Sequence, residues 1–233
     1  MGSTLPVTRR IVRLRSGDIE LEAAYEAPVA PRGLVIFAHG SGSSRMSPRN
    51  RYVAITLRRK GFATLLLDLL TEAEDMRGDH RFDIGLLVER LRSAVRWASS
   101  YLPAASLPIG LFGASTGAAA ALELAALPEE DIAAVVSRAG RADLASAQCL
   151  AEVTAPTLLI VGERDIGVIE INEGAYEKLR CVKSLSIVPG ASHLFEEDGA
   201  LEQVAALAAD WFSRHLVGPA AGHAQRLAAH GLA

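Results

Sequence analysis

"GLFGASTGAAAAL", residues Gly110 to Leu122, is the stretch on which the reading of this chain turns. Its first half is a short apolar run and its second half is Ala-rich, so a strand is expected to give way to a helix near Thr116. Between them stands Gly113-Ala114-Ser115-Thr116-Gly117, a G-x-S-x-G pattern in strand-turn-helix context. Such a turn strains the serine backbone, and side chains two positions before and after it would collide with the neighbouring strand and helix, which leaves glycine there. The same geometry lifts the Ser115 hydroxyl above a sheet edge and over a helix N-terminus, where partial positive charge favours a developing oxyanion.

Outward from this stretch, short apolar runs alternate with longer amphipathic segments, the pattern of parallel strands buried on both faces and joined by crossover helices. The fold class is α/β. Strands are expected at Gly33 to Ala38, Phe62 to Leu67, Pro108 to Gly113, Ile132 to Ser137, Thr157 to Gly162 and Ser184 to Val188. The earlier "RRIVRLRSGDIELEAAYEAP" alternates on both sides of Ser16-Gly17-Asp18 and reads as a hairpin on an antiparallel edge, which brings the sheet to about eight strands. Helices are expected near Arg49 to Lys60, Phe82 to Tyr101, Thr116 to Leu127, Glu170 to Leu179 and Leu201 to His215. Residues 1–216 read as one domain, followed at 217–233 by an Ala/Gly-rich tail that opens on a Gly-Pro break.

The bulk composition agrees: 233 residues, 50% of them hydrophobic and 22% charged, suit a single large domain. A formal net charge of -3 supplies no basic surplus for nucleic acid. Arginines at 9, 10, 13 and 15 interrupt any leader-like apolar region, and no apolar stretch approaches a membrane span, which points to a cytoplasmic protein with no membrane partner. The two cysteines, Cys149 and Cys181, form no C-x-x-C and stand far from histidine. The tail histidines His223 and His230 have no acidic or thiol companions, so no metal is expected.

A serine hydroxyl needs a base, and the base needs an acid to hold its tautomer. Asp165 closes "TLLIVGERD" at the end of one strand, and His193 follows "SLSIVPGASH" just beyond the last. Both strand ends share the carboxyl edge with Ser115, so residues 50 and 78 positions later can converge on it in the order Ser, Asp, His. The first parallel strand ends in "VIFAHGSGSS", whose backbone N–H groups can face the same space; Ser41 and Thr116 are the expected oxyanion donors. His39 is expected to pin that loop through a backbone hydrogen bond. The loop is no phosphate cradle, because G-x-x-x-x-G-K-[ST] is absent and Arg45 stands where a third glycine would be needed.

On "HGSGSS", "GASTG", "VGERD" and "GASHLFEE", the chain from about Leu34 to His215 resembles the α/β-hydrolase superfamily and, within it, the small dienelactone hydrolase group. The resemblance implies an α/β-hydrolase fold, a triad of Ser115, Asp165 and His193, oxyanion donors at Ser41 and Thr116, and no cofactor. Members of that group typically carry cysteine where this chain has Ser115, a departure that favours carboxylesterase-type activity over lactone specificity.

The interval from "IAAVVS" to "TLLIVG" is too short for a cap domain, and the polar "LTEAEDMRGDHRF" after "FATLLL" is the other candidate cover, read as a loop. Arg45, Arg138, Arg141 and Arg164 should lie near the active edge. One or two of them are expected to bind a carboxylate or other anion on a small ester or lactone substrate; the alternative is pairing with Asp143, Glu163 or the acidic loop. Two other functions stay open at this level: acyl transfer to an alcohol or thiol, and a non-catalytic receptor that keeps the fold. Acyl and alcohol preference and oligomeric state are not encoded in these patterns.

Overall fold

The computed structural model describes residues 6–102 and 107–216. The tail expected at 217–233, with His223 and His230, lies outside the described residues. Eight strands form one sheet: β1 (Val7–Ser16), β2 (Ile19–Pro28), β3 (Leu34–Ala38), β4 (Ala63–Leu67), β5 (Ile109–Ala114), β6 (Ile132–Arg138), β7 (Thr157–Gly162) and β8 (Lys183–Val188). Their spatial order is β1-β2-β4-β3-β5-β6-β7-β8. β1 and β2 form the antiparallel hairpin, β2 runs antiparallel to β4, and all pairings from β4 to β8 are parallel. This is an α/β-hydrolase fold.

The parallel strands are apolar throughout because both faces are covered; every residue of β3, β4, β5 and β7 is buried. One face packs on α1 (Pro48–Arg59) and α7 (Ala200–His215), through Val53, Ala54, Leu57, Val204, Ala208, Trp211 and Phe212. The other packs on α3 (Ile84–Tyr101), α4 (Thr116–Ala126), α5 (Ala147–Glu152) and α6 (Ile166–Lys178), with Leu87, Leu91, Ala119, Leu122, Leu150 and Ala175 in the core. Helix starts follow local chemistry. Ser47 caps α1 by accepting from Asn50 N–H, with Pro48 in the first turn, and Asp83 caps α3 by accepting from Leu86 N–H.

Two expectations change. The acidic stretch after β4 is not a loop: Thr71 and Glu74 form a reciprocal capping box that starts α2 (Glu72–Arg77), followed by a 3-10 turn over Asp79–Phe82. Neither piece buries a residue. The helix expected from Glu170 begins at Ile166, directly after Asp165, which therefore stands as its cap residue. Between β6 and β7 there is only a 3-10 turn (Ala142–Leu144) and the short α5, so no cap domain sits there. Among the described residues, no helix is long and apolar enough to cross a membrane.

Candidate active site

Ser115 stands between β5 and α4 with φ 51 and ψ -120, a region costly for a residue with a side chain, on the order of 1–3 kcal/mol. The surroundings hold it there. Its N–H donates to Arg138 O (3.1 Å), and its carbonyl accepts from Ala118 N–H (3.0 Å) and Arg141 N–H (3.1 Å). A Cβ at Gly113 would lie 2.4 Å from Ala118 Cα, and one at Gly117 would lie 2.4 Å from the carbonyl oxygens of Ala38 and His39. The glycines of G-x-S-x-G are thus required by close backbone approach on both sides of the serine.

Across the edge, His193 Nδ1 and Asp165 Oδ2 are 2.6 Å apart, with the imidazole 39% and the carboxylate 16% exposed. The two loops that carry them interlock. Arg164 N–H donates to Ala191 O (2.9 Å), Gly190 N–H donates to Glu163 Oε2 (2.6 Å), and a Cβ at Gly162 would meet Ala191 O at 2.4 Å. Glu197 accepts from Ser192 N–H through both oxygens (3.1 and 3.0 Å), and those bonds lower its carboxyl pKa. Ser115 Oγ makes no hydrogen bond among the described residues, so the hydroxyl–imidazole link is open in this conformation.

The third wall is the loop after β3. Gly40 touches the Ser115 turn so closely that a Cβ there would sit 2.9 Å from Ser115 Cβ. His39 pins this loop: Leu69 N–H donates to Nε2 (2.9 Å), which leaves the Nδ1 proton to donate to Gly40 O (2.9 Å). The imidazole is buried and neutral, and burial pushes its pKa below the ordinary histidine value. Ser41 and Thr116 line a shallow recess of about 10 Å³, room for about one water, together with His39, Gly40, Gly42, Leu69, Leu70, Asp75, Arg81 and Leu87. Among the described residues, neither the Ser41 nor the Thr116 N–H has a hydrogen-bond partner.

The four arginines separate. Arg45 is committed to Asp68 and Glu22, with its own N–H also donating to Asp68 Oδ1 (2.6 Å), so it braces the loop after β3. Arg141 grips Asp143 through two bonds of 2.8 and 2.7 Å. Both therefore take the pairing role rather than the anion-binding role. Arg164 is exposed beside Asp165. Arg138 is buried at 7% exposure and, among the described residues, has no acidic partner.

No family model matches the chain. Two curated proteins of Mycobacterium tuberculosis, from strains CDC 1551 and H37Rv, carry the provisional name phosphoribosyl transferase. Each is 53% identical over 214 residues, which is 92% of this chain and 48% of theirs, so the chain spans about half the length of the curated relatives it matches. A crystal structure of a dienelactone hydrolase from Anabaena variabilis is 50% identical with a TM-score of 0.86, and the match covers 90% of this chain and 99% of that one. The chain belongs to the dienelactone hydrolase family. Est1E from Butyrivibrio proteoclasticus shares the fold at 17% identity and a TM-score of 0.75, covering 88% of this chain and 98% of that one.

Within this member of the dienelactone hydrolase family, some groups that brace the Ser115, Asp165 and His193 segments have no role in the sequence reading. Asn172, fully buried in α6, donates through Nδ2 to Gly140 O (2.9 Å) and Val168 O (2.8 Å). It ties the helix that starts at Asp165 to the turn 138–141 that clamps Ser115 at both ends. Its position on one face of a weakly amphipathic helix was the only available signal. Glu163, expected as a partner for the edge arginines, instead accepts from Gly190 N–H, and the bond from Ser192 N–H to Glu197 had no signal, since an acidic residue in a post-strand loop is ordinarily solvated.

Proposed function

We propose that this chain hydrolyses small carboxylic esters through Ser115, His193 and Asp165 by way of an acyl-enzyme. The observation that carries the reading is the 2.6 Å His193–Asp165 contact at the same sheet edge as a serine held in a strained turn. Asp165 accepts from Nδ1–H, so Nε2 is the free base. On substrate entry the imidazole closes on the hydroxyl, as such links commonly tighten only in the substrate complex. His193 takes the Ser115 proton as the oxygen attacks the ester carbonyl, and the tetrahedral oxyanion receives the Ser41 and Thr116 N–H groups at the start of α4. The imidazolium then gives its proton to the departing alkoxide. Water, deprotonated by the same histidine, cleaves the acyl-enzyme and restores Ser115.

The transferase name belongs to proteins about twice as long. The deciding experiment is labelling by a fluorophosphonate with mapping of the modified residue, alongside hydrolysis of short aryl esters. Label on Ser115 is expected, and Ser115→Ala should keep its fold while losing at least about 1000-fold in kcat. Full turnover by that variant, or label on another residue, would refute the assignment.

A further inference from the structure

Four large apolar side chains stand in solvent on the loops around Ser115: Met76 in α2, Phe82 in the turn that follows it, Ile166 directly after Asp165, and Leu194 directly after His193. Met76, Phe82 and Ile166 are more than half exposed and Leu194 more than a third, so none of them holds the core. A single exposed apolar side chain is ordinary, whereas four on the loops that flank one serine form a patch. Local structure does not ask for them. The first turn of α6 carries no acidic residue, although acidic side chains suit a helix start, and Ile166 gains nothing there from burial.

Sheet order divides the four into two arms. β4, whose end leads to Met76 and Phe82, lies on one side of β5, while β7 and β8, which lead to Ile166 and Leu194, lie on the other. The first arm reaches the loop after β3 where Arg81 Nη1 stands 3.7 Å from a Cβ built at Gly42. The second is joined across the 2.6 Å His193–Asp165 contact. The recess between them has about 10 Å³, room for a water or an oxyanion and not for a hydrocarbon chain. The apolar parts of an ester attacked by Ser115 must therefore lie outside that recess, on the arms.

We propose that the two arms divide the substrate: Ile166 and Leu194 seat the alcohol part, and Phe82 and Met76 seat the acyl part. The inference rests on the triad reading and adds the substrate class, an ester with an apolar chain on each side of the scissile bond. Proton transfer assigns the sides. His193 Nε2 protonates the departing alkoxide, so the alcohol leaves on the side of β7 and β8, beside the residues that follow Asp165 and His193. The carbonyl oxygen takes the recess, and the acyl chain takes the remaining direction, over the ends of β3 and β4. A methylene buried from all sides gains about 4-fold in affinity; laid on an open arm it should gain about half of that free energy, or about 2-fold.

Two ester series test this. One varies the acyl group from acetyl to octanoyl on a single aryl alcohol, the other varies a straight-chain alcohol from ethanol to octanol on acetate, and both stay below the solubility limit. In the wild type, kcat/KM should rise about 2-fold per methylene in each series, chiefly through KM. Phe82→Ser should lower kcat/KM for the octanoyl ester on the order of 10-fold relative to the acetyl one and leave the alcohol series as in the wild type. Ile166→Ser should do the reverse. Phe82→Leu should keep most of the acyl gradient, and melting temperatures should be unchanged in all three variants. Flat gradients in the wild type, both gradients lost together in either serine variant, or a parallel loss at every chain length with a lower melting temperature would each overturn the proposal. So would a gradient that appears only above the solubility limit, which would assign the patch to an ester–water interface. Failure of the wild type to label at Ser115 or to turn over any ester would sink the triad reading instead. Calorimetric binding of octyl acetate to the wild type and to a variant carrying both Phe82→Ser and Ile166→Ser would then still decide the role of the patch, equal affinity counting against it.

Discussion

The recess beside Ser115 has one wall of backbone pressed on backbone and another of solvated side chains. On the β3–β5–α4 side, a methyl group added at Gly117 would sit 2.4 Å from two carbonyl oxygens, and His39 is sealed against Leu69 and Gly40. Opposite, α2 and the Asp79–Phe82 turn bury no residue and are held by the Arg81–Asp75 and Arg90–Glu74 ion pairs. Volume sets the first wall and leaves it no freedom to relax. Screened charge sets the second, where each pair is worth about 0–1 kcal/mol. The difference teaches that the Ser115 turn is enforced by steric exclusion, while the α2 rim is adjustable.

The largest effect that could break this comparison comes from Gly117→Ala. The added methyl must part the oxyanion loop from the nucleophile turn, and a displacement near 1 Å costs on the order of 100-fold in activity. Gly174 in α6 is the contrast: nothing lies within 4 Å of a Cβ built there, and Gly174→Ala should stabilise the fold by about 0.5–1 kcal/mol without changing kcat. Ester assays and urea melts on both variants check the pair. An active Gly117→Ala protein would show that the jammed wall yields after all.

Asn172→Leu comes next. Losing Nδ2 leaves the buried Gly140 carbonyl unpaired and frees the turn that holds Ser115 at both ends, so kcat should fall about 10-fold with KM little changed. Thr157→Val is the matched control, since that buried hydroxyl donates to Ala155 O (2.9 Å) at the far end of β7. It should cost similar stability and leave kcat alone. Equal kcat losses in the two variants would mean that Asn172 acts through stability only.

His39 sharpens the same contrast through pH. Its folded pKa is depressed by burial, with Asp68 and Asp75 opposing the shift, so the folded state keeps the neutral ring. As pH falls below about 6.5, the unfolded chain takes up a proton that the folded chain refuses, and stability declines by up to about 1.4 kcal/mol per pH unit until the folded pKa is passed. Urea denaturation between pH 7 and 5 should show that decline in the wild type and a shallower one in His39→Gln. Identical slopes would assign the acid sensitivity elsewhere.

The same division explains what could be read from the chain. Ser115, Asp165 and His193 each follow an apolar run, and a parallel sheet brings such strand ends to one edge, so their place at that edge and the His193–Asp165 contact follow from the order of elements. The strands lie within a residue or two of their expected limits because burial on both faces leaves uninterrupted apolar runs. α6 starts four residues earlier than its periodicity shows, since Ile166 is 68% exposed and Gly167 adds no apolar face. α2 has a capping box but no buried side, so it left only the Thr71/Glu74 signal. Charge partners were illegible for a different reason. Arg45 meets Glu22 from β2 and Asp68 after β4, a meeting created by sheet order, whereas Arg138 looks in sequence like any solvated arginine closing a strand.

The smallest effect belongs to the adjustable wall. Arg81 binds Asp75 through two bonds of 2.8 Å, both residues line the recess, and Arg81 Nη1 passes close to Gly42 of the oxyanion loop. Because both partners are about one-third exposed, Arg81→Ala should cost well under 1 kcal/mol of stability. It should instead unfasten the turn from α2 and, if the rim serves only uniform binding, raise KM a few-fold with kcat within about twofold. Restoring the tie with Arg81→Lys should bring back only part of the KM effect, because an ammonium cannot bridge both carboxylate oxygens in the same plane. A fall in kcat as large as that of Asn172→Leu would show that the rim braces the oxyanion loop through Gly42, and the two walls would then be one mechanical unit rather than two.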